Sequence, residues 1–461
     1  MGNVAVLLKR QGHAVHGADT GVYPPMSDVL TDAGITVWEG YDPERLAALA
    51  PDCVVVGNVV TRGNPEAEWL LETRALPFVS LAELIGRDLI GTRPGVVITG
   101  THGKTTTAAM TAWLLRERGA RPGWLIGGVP KNLPGGAEVG ATGAPFVIEG
   151  DEYDTAFFDK RSKFIHYRPR ILVVNNVEFD HADIFRDLPD VLRTFAHVIR
   201  LVPQGGVILY NGDDTALDGL LPVPWCPCFR VGTGKGCDLR LSGFAEGPAS
   251  ASFTLRWRGA AWGKVQWRLP GLYNARNAAM AALAAGFAVK PDDPLCAMDP
   301  TVLRGFHGVK RRMEVLHDSE AVTVIEDFGH HPTALAGTLA SLRARYPGRE
   351  ITACFEPRSH TSQRAGFQGR FADALAGADR VAIAPLHKPE RIPADDRLDP
   401  VALAAQVTER GTPATSCPTH EALLERLVTM TRPGAAEAPQ LVIFFTNGSF
   451  GGILPRLCAT L

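Results

Sequence analysis

The sequence predicts an α/β fold in three domains, and three observations predict it. Short β-branched apolar runs alternate with helix-like segments along most of the chain, the pattern of a parallel sheet covered by helices. One passage, ITGTHGKTTTA (98–108), reads as strand, glycine turn and helix start, a ready-made anion site. The chain has 461 residues, and at roughly 150 residues per domain that length corresponds to about three domains.

The strands come first. CVVVGN (53–58), GVVITG (95–100), PFVIEG (145–150), ILVVNN (171–176), VTVIED (322–327), EITACFEP (350–357), VAIAP (381–385) and LVIFFTNG (441–448) are continuous apolar runs, which suits strands buried on both faces. TTAAMTAWLLRERG (106–119) and NARNAAMAALAAGFAV (274–289) read as helices between them. SFTLRWRGAAWGKVQWRL (252–269) breaks the pattern: it alternates about a glycine turn and predicts an antiparallel hairpin, with Trp257, Trp262 and Trp267 as packing residues. Composition breaks at GRDLIGTRPG (86–95) and GFHGVKRRME (305–314) divide the chain into 1–90, 91–308 and 309–461.

Composition narrows the function. Lys+Arg 47 against Asp+Glu 49 leaves a net charge of -2, so no basic field points to nucleic acid or a membrane surface. No apolar stretch is long enough to cross a bilayer, and the start has no signal-peptide pattern. Eight dispersed cysteines suit a reducing cytoplasm. Cys226, Cys228 and Cys237 cluster, but their spacing is poor for zinc.

The chemistry concentrates at strand ends. Gly100 and Gly103 permit a tight turn whose backbone N–H groups, with those of Thr101, His102 and Thr106, converge on phosphate. Lys104 supplies a charge for the β/γ-phosphates and Thr105 a hydroxyl for Mg²⁺. FVIEGDEYD sets Glu149, Asp151, Glu152 and Asp154 at one strand end. ILVVNNVEFDHAD sets Asn175, Asn176, Glu178, Asp180, His181 and Asp183 at the next. Ligands of an open parallel sheet gather at the carboxyl ends of its strands, so Lys104, Thr105, Glu149 and His181 are expected to meet.

These segments resemble the Mur ligase family, the ATP-dependent amide ligases of peptidoglycan synthesis. GTHGKTTT (100–107), EGDEYD (149–154), NNVEFDHAD (175–183), PGLYNARNAAMAA (270–282), KRRME (310–314) and EDFGHHPTA (326–334) carry the resemblance in order, with Tyr273 where the family usually has His. The resemblance implies a Rossmann-like UDP-sugar domain (1–90), a central P-loop-type ATP domain (91–308) and a Rossmann-like peptide domain (309–461). It also places the family's first strand and glycine loop ahead of Met1, so the first strand is expected to be missing here. Lys104, Glu149 and His181 are the implied catalytic residues. Thr105, Glu149 and His181 are the implied Mg²⁺ ligands. Asn277 and Arg312 are expected along ATP, with Asp327 near its ribose. Asp19, Arg358 and Ser359 are expected at substrate, with Arg161 and Lys163 as further basic candidates. His330 and His331 are possible proton acceptors by chemistry alone.

Within the family, VYPPMS (22–27), NVVTRGNP (58–65), DEYDTAFFDKRSKFIHYRPR (151–170), FEPRSHT (355–361) and TNGSFGGI (446–453) resemble one branch most. That branch acts in peptidoglycan recycling and cell-wall biogenesis. It joins UDP-N-acetylmuramate to L-alanyl-γ-D-glutamyl-meso-diaminopimelate through an acyl phosphate. The position of the carbamylated lysine found in several family members is Ala196 here, as in the branch that adds L-alanine, which is the alternative reading. A non-catalytic nucleotide-binding protein is the alternative of another class.

Overall fold

The computed structural model describes residues 1–461 apart from 25, 433, 435 and 436, so Pro25 of the VYPPMS segment lies outside the described residues. Three blocks of sheet follow one another along the chain.

The first block opens with the helix Gly2–Arg10. Its Val4 and Leu7 sit in one core with Leu89, Ile90, Phe146 and Ile148, while Val6 packs with Leu30 and Ile35. Its strands form two separate parallel pairs, His16–Asp19 with Thr36–Glu39 and Val54–Val56 with Phe78–Ser80. The GRDLIGTRPG passage is helical through Ile90, with Leu89 and Ile90 buried, and packs this block on the next. Gly86 is there because nothing larger fits: a Cβ would lie 1.8 Å from the His166 carbonyl oxygen. Backbone cannot step aside cheaply, so Gly86→Ala should cost about 1–3 kcal/mol and lower the thermal midpoint. An unchanged melting curve would disprove this close approach.

The second block is a ten-stranded sheet. Its order runs Ala260–Trp267, Ala251–Trp257, Leu239–Glu246, Cys228–Gly232, Val207–Asn211, Ile171–Val174, Gly95–Thr99, Phe146–Glu149, Gly123–Leu125, Ala137–Glu138. It is parallel from Leu239–Glu246 across to Gly123–Leu125 and antiparallel at both margins. The expected hairpin is therefore present and extends the sheet by Leu239–Glu246. Trp267 is buried in the main core, with Trp257 and Trp262 packed against it. Helices Lys104–Glu117 and Leu272–Val289 cover the same face and bury most of their residues, the second rich in alanine, which lets the pair pack closely. Burial pushes the Cys226 thiol up to about 12 and also raises Cys228 and Cys237, so these behave as packed thiols.

The third block is a six-stranded sheet of order Glu314–Asp318, Val322–Asp327, Gln440–Phe445, Glu350–Phe355, Arg380–Ile383, Ala414–Ser416. All but the first pairing are parallel. Helices on each face bury two separate cores, as a doubly wound sheet requires.

Candidate active site

Gly95–Thr99 lies between Ile171–Val174 and Phe146–Glu149. That order brings three carboxyl ends together. The turn after Thr99 is tight: Gly100 has φ +130 and Gly103 φ +79. A Cβ on Gly103 would lie 2.5 Å from Asn277 Oδ1, so the second glycine gives room to a side chain of the helix Leu272–Val289. Thr101 N–H donates to Asn176 O at 3.0 Å and His102 N–H to Asn176 Oδ1 at 2.7 Å, which fixes the loop against the neighbouring strand end. Thr106 is buried in the first turn of Lys104–Glu117.

Lys104 Nζ donates to Gly100 O at 2.8 Å and meets Glu152 Oε2 at 2.9 Å. Burial alone would lower this lysine's pKa, but Glu152 and then Asp151 outweigh it and hold it raised. Glu152, 2% exposed, also accepts from His181 Nε2 at 3.0 Å. Burial works against its charge, yet Lys104 and His181 hold it down at about 2. His181 is conversely raised: burial disfavours its charge, and the Glu152 hydrogen bond prevails. Thr105 Oγ1 donates to Glu149 Oε2 at 2.8 Å, and Gly127 N–H to Glu149 Oε1 at 2.5 Å. Glu149 is raised by burial and then by Asp151, and it has no salt-bridge partner among the described residues. A cation there would relieve it, and its oxygen pair with Thr105 suits Mg²⁺.

The third block closes the cluster. Arg312 Nη2 reaches Thr105 Oγ1 at 3.4 Å and its guanidinium lies over Phe328 at 4.8 Å. Asp327 accepts from Met313 N–H at 2.8 Å and Gly329 N–H at 2.7 Å, and burial raises it. His181 has φ +55 and is held there by N–H donation to Asp180 Oδ1 at 2.8 Å and to Thr361 Oγ1 at 2.9 Å. His360 Nε2 stands 3.8 Å from Asp183 Oδ2. Arg358 has no carboxylate partner among the described residues; its N–H donates to Ser362 Oγ and Nη1 faces His387 Nδ1 at 3.4 Å. Ser359 Oγ donates to Ser362 Oγ at 2.9 Å. Beside these loops is a cleft of about 360 Å³ lined by Phe179, Asp183, Arg186, Arg364, Phe367 and Asp396 among others.

Other expected residues stand apart. Asp19 accepts from Thr20 N–H at 2.7 Å at the end of its own strand. Lys163 Nζ lies 3.9 Å from Asp151 and 5.5 Å over the Tyr153 ring, and its charge, after burial, lowers the Met1 amino group. Arg161 is already committed to Asp159, with contacts of 2.9 and 2.8 Å. That fork, with burial opposing it, holds Asp159 down at about 2, and His166 Nε2 adds a contact at 2.9 Å. Because the folded value lies below the ordinary 3.8, this pairing stabilises the protein above pH 3.8 and is lost as pH falls through 2. Asp159→Asn should therefore flatten the decline of thermal midpoint over that acid window. Parallel curves for the two proteins would refute it.

Sequence reasoning did not single out Glu152 as functional, although the DEYD segment contains it. The signal was a carboxylate three residues beyond Glu149 at a strand end that has to turn. Glu178 and Asp180 were likewise visible only as members of an acidic run.

A glycine–lysine–threonine loop, a strand-end glutamate beside the threonine and a third block folded over both define an enzyme that uses a nucleoside triphosphate. Three family models match successive stretches of the chain. "Mur ligase family, catalytic domain" matches 1–89, "Mur ligase middle domain" matches 98–285, and "Mur ligase, glutamate ligase domain" matches 311–446. The chain belongs to the Mur ligase family, whose members form amide bonds at the expense of ATP.

The chain is 38% identical to UDP-N-acetylmuramate–L-alanyl-γ-D-glutamyl-meso-2,6-diaminoheptandioate ligase of Escherichia coli, covering 99% of this chain and 95% of that one. It is 31% identical to UDP-N-acetylmuramate–L-alanine ligase of Acidithiobacillus ferrooxidans, over 84% and 81%. Among solved structures, a murein peptide ligase from Psychrobacter arcticus matches with TM-score 0.69 and 32% identity over 100% and 96% of the two chains. A UDP-N-acetylmuramate–alanine ligase from Thermotoga maritima shares the fold, with TM-score 0.73 at 22% identity over 100% and 96%.

Proposed function

We propose that this chain joins UDP-N-acetylmuramate to the tripeptide L-alanyl-γ-D-glutamyl-meso-diaminopimelate, with ATP and Mg²⁺, in the recycling of cell-wall peptide. The observation that carries the reading is 38% identity along essentially the whole chain to a ligase named for that reaction, with a Lys104–Thr105–Glu149–His181 cluster to perform it.

The nucleotide loop supplies backbone N–H groups and the N-terminus of Lys104–Glu117 to the phosphates, with Lys104 as the mobile charge beside them. Thr105 and Glu149 would be the oxygen ligands for Mg²⁺, and His181 would hold a second ion. The ion supplies charge neutralisation on the transferring phosphoryl group. Asn277, Arg312 and Asp327 flank the nucleotide, Asp327 from the third sheet. The muramyl carboxylate is phosphorylated to an acyl phosphate. The tripeptide's neutral amine then attacks that carbonyl carbon, and phosphate leaves as the amide forms. The chain's contribution is mostly alignment of three substrates between blocks. Arg358, which has no carboxylate partner among the described residues, suits a peptide rich in carboxylates. Asp19 and Lys163 lie toward the sugar nucleotide. We take 1–90, 91–308 and 309–461 as the UDP-sugar, ATP and peptide domains. No helix among the described residues is long and apolar enough to cross a membrane.

The test is an amine panel with UDP-N-acetylmuramate and Mg²⁺-ATP, read as ADP release and product mass. The tripeptide should be ligated and free L-alanine should not. Ligation of L-alanine alone would replace this reading with the alanine-adding one, and ATP turnover with neither would refute both.

A further inference from the structure

Three residues far apart in sequence meet outside the Thr105–Glu149–His181 cluster. His102 belongs to the nucleotide loop, Glu178 to the loop after Ile171–Val174, and His331 caps the third-block helix Pro332–Arg345. His102 Nε2 is 3.4 Å from Glu178 Oε1, His331 Nδ1 is 3.6 Å from Glu178 Oε2, and the two imidazole rings are 4.6 Å apart. One ligand atom from each lies within 4.8 Å of the other two.

Neither imidazole nitrogen facing the carboxylate has a hydrogen-bond partner among the described residues, although both are buried. His331 is 1% exposed. Its other nitrogen, Nε2, lies 3.3 Å from the Phe179 carbonyl oxygen. A carbonyl only accepts, so Nε2 carries the proton and Nδ1 of the neutral ring presents a lone pair. A lone pair thus faces a carboxylate, an unfavourable pairing unless a cation stands between them. The spacing is that of ligands rather than of hydrogen bonds. Two atoms bound at about 2.0–2.1 Å to a tetrahedral ion stand about 3.3 Å apart. The Nε2–H to carbonyl contact is the outer-shell bond that orients metal-binding histidines.

We propose that His102, Glu178 and His331 form a further metal site, distinct from the Mg²⁺ positions at Thr105, Glu149 and His181, for a zinc-class transition ion rather than Mg²⁺, and that the ion ties the third block to the nucleotide loop. Two imidazoles and one carboxylate select zinc or cobalt over magnesium, which prefers oxygen. Access is from the side of His102 and Glu178, which are part-exposed. Thr333 Oγ1 donates to Glu178 Oε2 at 2.7 Å and Arg370 Nη2 meets the same oxygen at 3.3 Å. Arg370 is the cation now nearest the carboxylate, half-exposed over Phe367, and the ion competes with it.

The probe is Co²⁺, titrated into the full chain in excess Mg²⁺ and read by visible absorption. One equivalent should bind with nitrogen/oxygen-type bands and without thiolate charge-transfer bands. Glu178→Gln and His331→Asn, each checked for native near-UV circular dichroism, should weaken binding at least about tenfold. Arg370→Ala should bind at least as tightly as the parent, and Glu149→Gln should bind equally. If His331→Asn does not fold, Glu178→Gln decides alone. No cobalt binding above Mg²⁺, thiolate bands, or a loss confined to Glu149→Gln would overturn the proposal. None of these readouts depends on the ligase reading, because no substrate is present.

Discussion

Lys104→Met is expected to reduce ADP release with UDP-N-acetylmuramate and tripeptide by about 10²–10³-fold or more. The ammonium group is seated inside the nucleotide loop, between Gly100 O and Glu152. Methionine keeps the aliphatic stem and removes the charge. The same change leaves Glu152 buried with His181 as its remaining partner, and breaking a buried pair costs about 3–5 kcal/mol. Catalytic loss and destabilisation would then arrive together. The double variant Lys104→Met/Glu152→Gln separates them. Removing the uncompensated carboxylate should restore much of the thermal midpoint and none of the turnover. Turnover that recovers along with stability would mean that Lys104 is structural.

Gly103→Ala is the second large effect. A left-handed residue with a Cβ costs about 1–2 kcal/mol, and Gly103 has φ +79. The added methyl would also stand 2.5 Å from Asn277 Oδ1. Asn277 is buried on Leu272–Val289, so the loop has to move instead. Displacement by about 1 Å at a site of positioned phosphates costs on the order of 10²-fold in rate. The fold should survive, because the strain falls on one turn. Kinetics and calorimetry should therefore show a large fall in kcat beside a small fall in midpoint. Near-parental kcat would show that the loop tolerates a side chain and that the contact with Asn277 does not hold it.

What was legible in the sequence was local. The strand Gly95–Thr99, its glycine turn and the helix from Lys104 are adjacent words, and each carries its own chemistry. The meeting of Lys104, Thr105, Glu149 and His181 follows from one further rule, that parallel strands align their carboxyl ends. Glu152 was harder. Its role depends on a turn that points it inward at both Lys104 and His181, and an acidic run does not reveal which of its members turns in. Glu178 with His102 and His331 could not be read at all, since the contact depends on how the third block docks. The first block also departed from pattern. Its short strands pair two by two, because no strand links the His16–Asp19 pair to the Val54–Val56 pair among the described residues. The GRDLIG passage, rich in break-like residues, is helical because Leu89 and Ile90 have a core to enter.

His181 owes its left-handed backbone partly to a threonine that belongs to another block. Thr361 holds its amide, and Thr361 travels with the FEPRSHT loop of the third block. The aim of the imidazole is thus set by both sides of the interdomain seam at once. A side chain held in this way keeps its aim only while the two blocks are docked on each other, so the seam between them sets local backbone geometry as well as position.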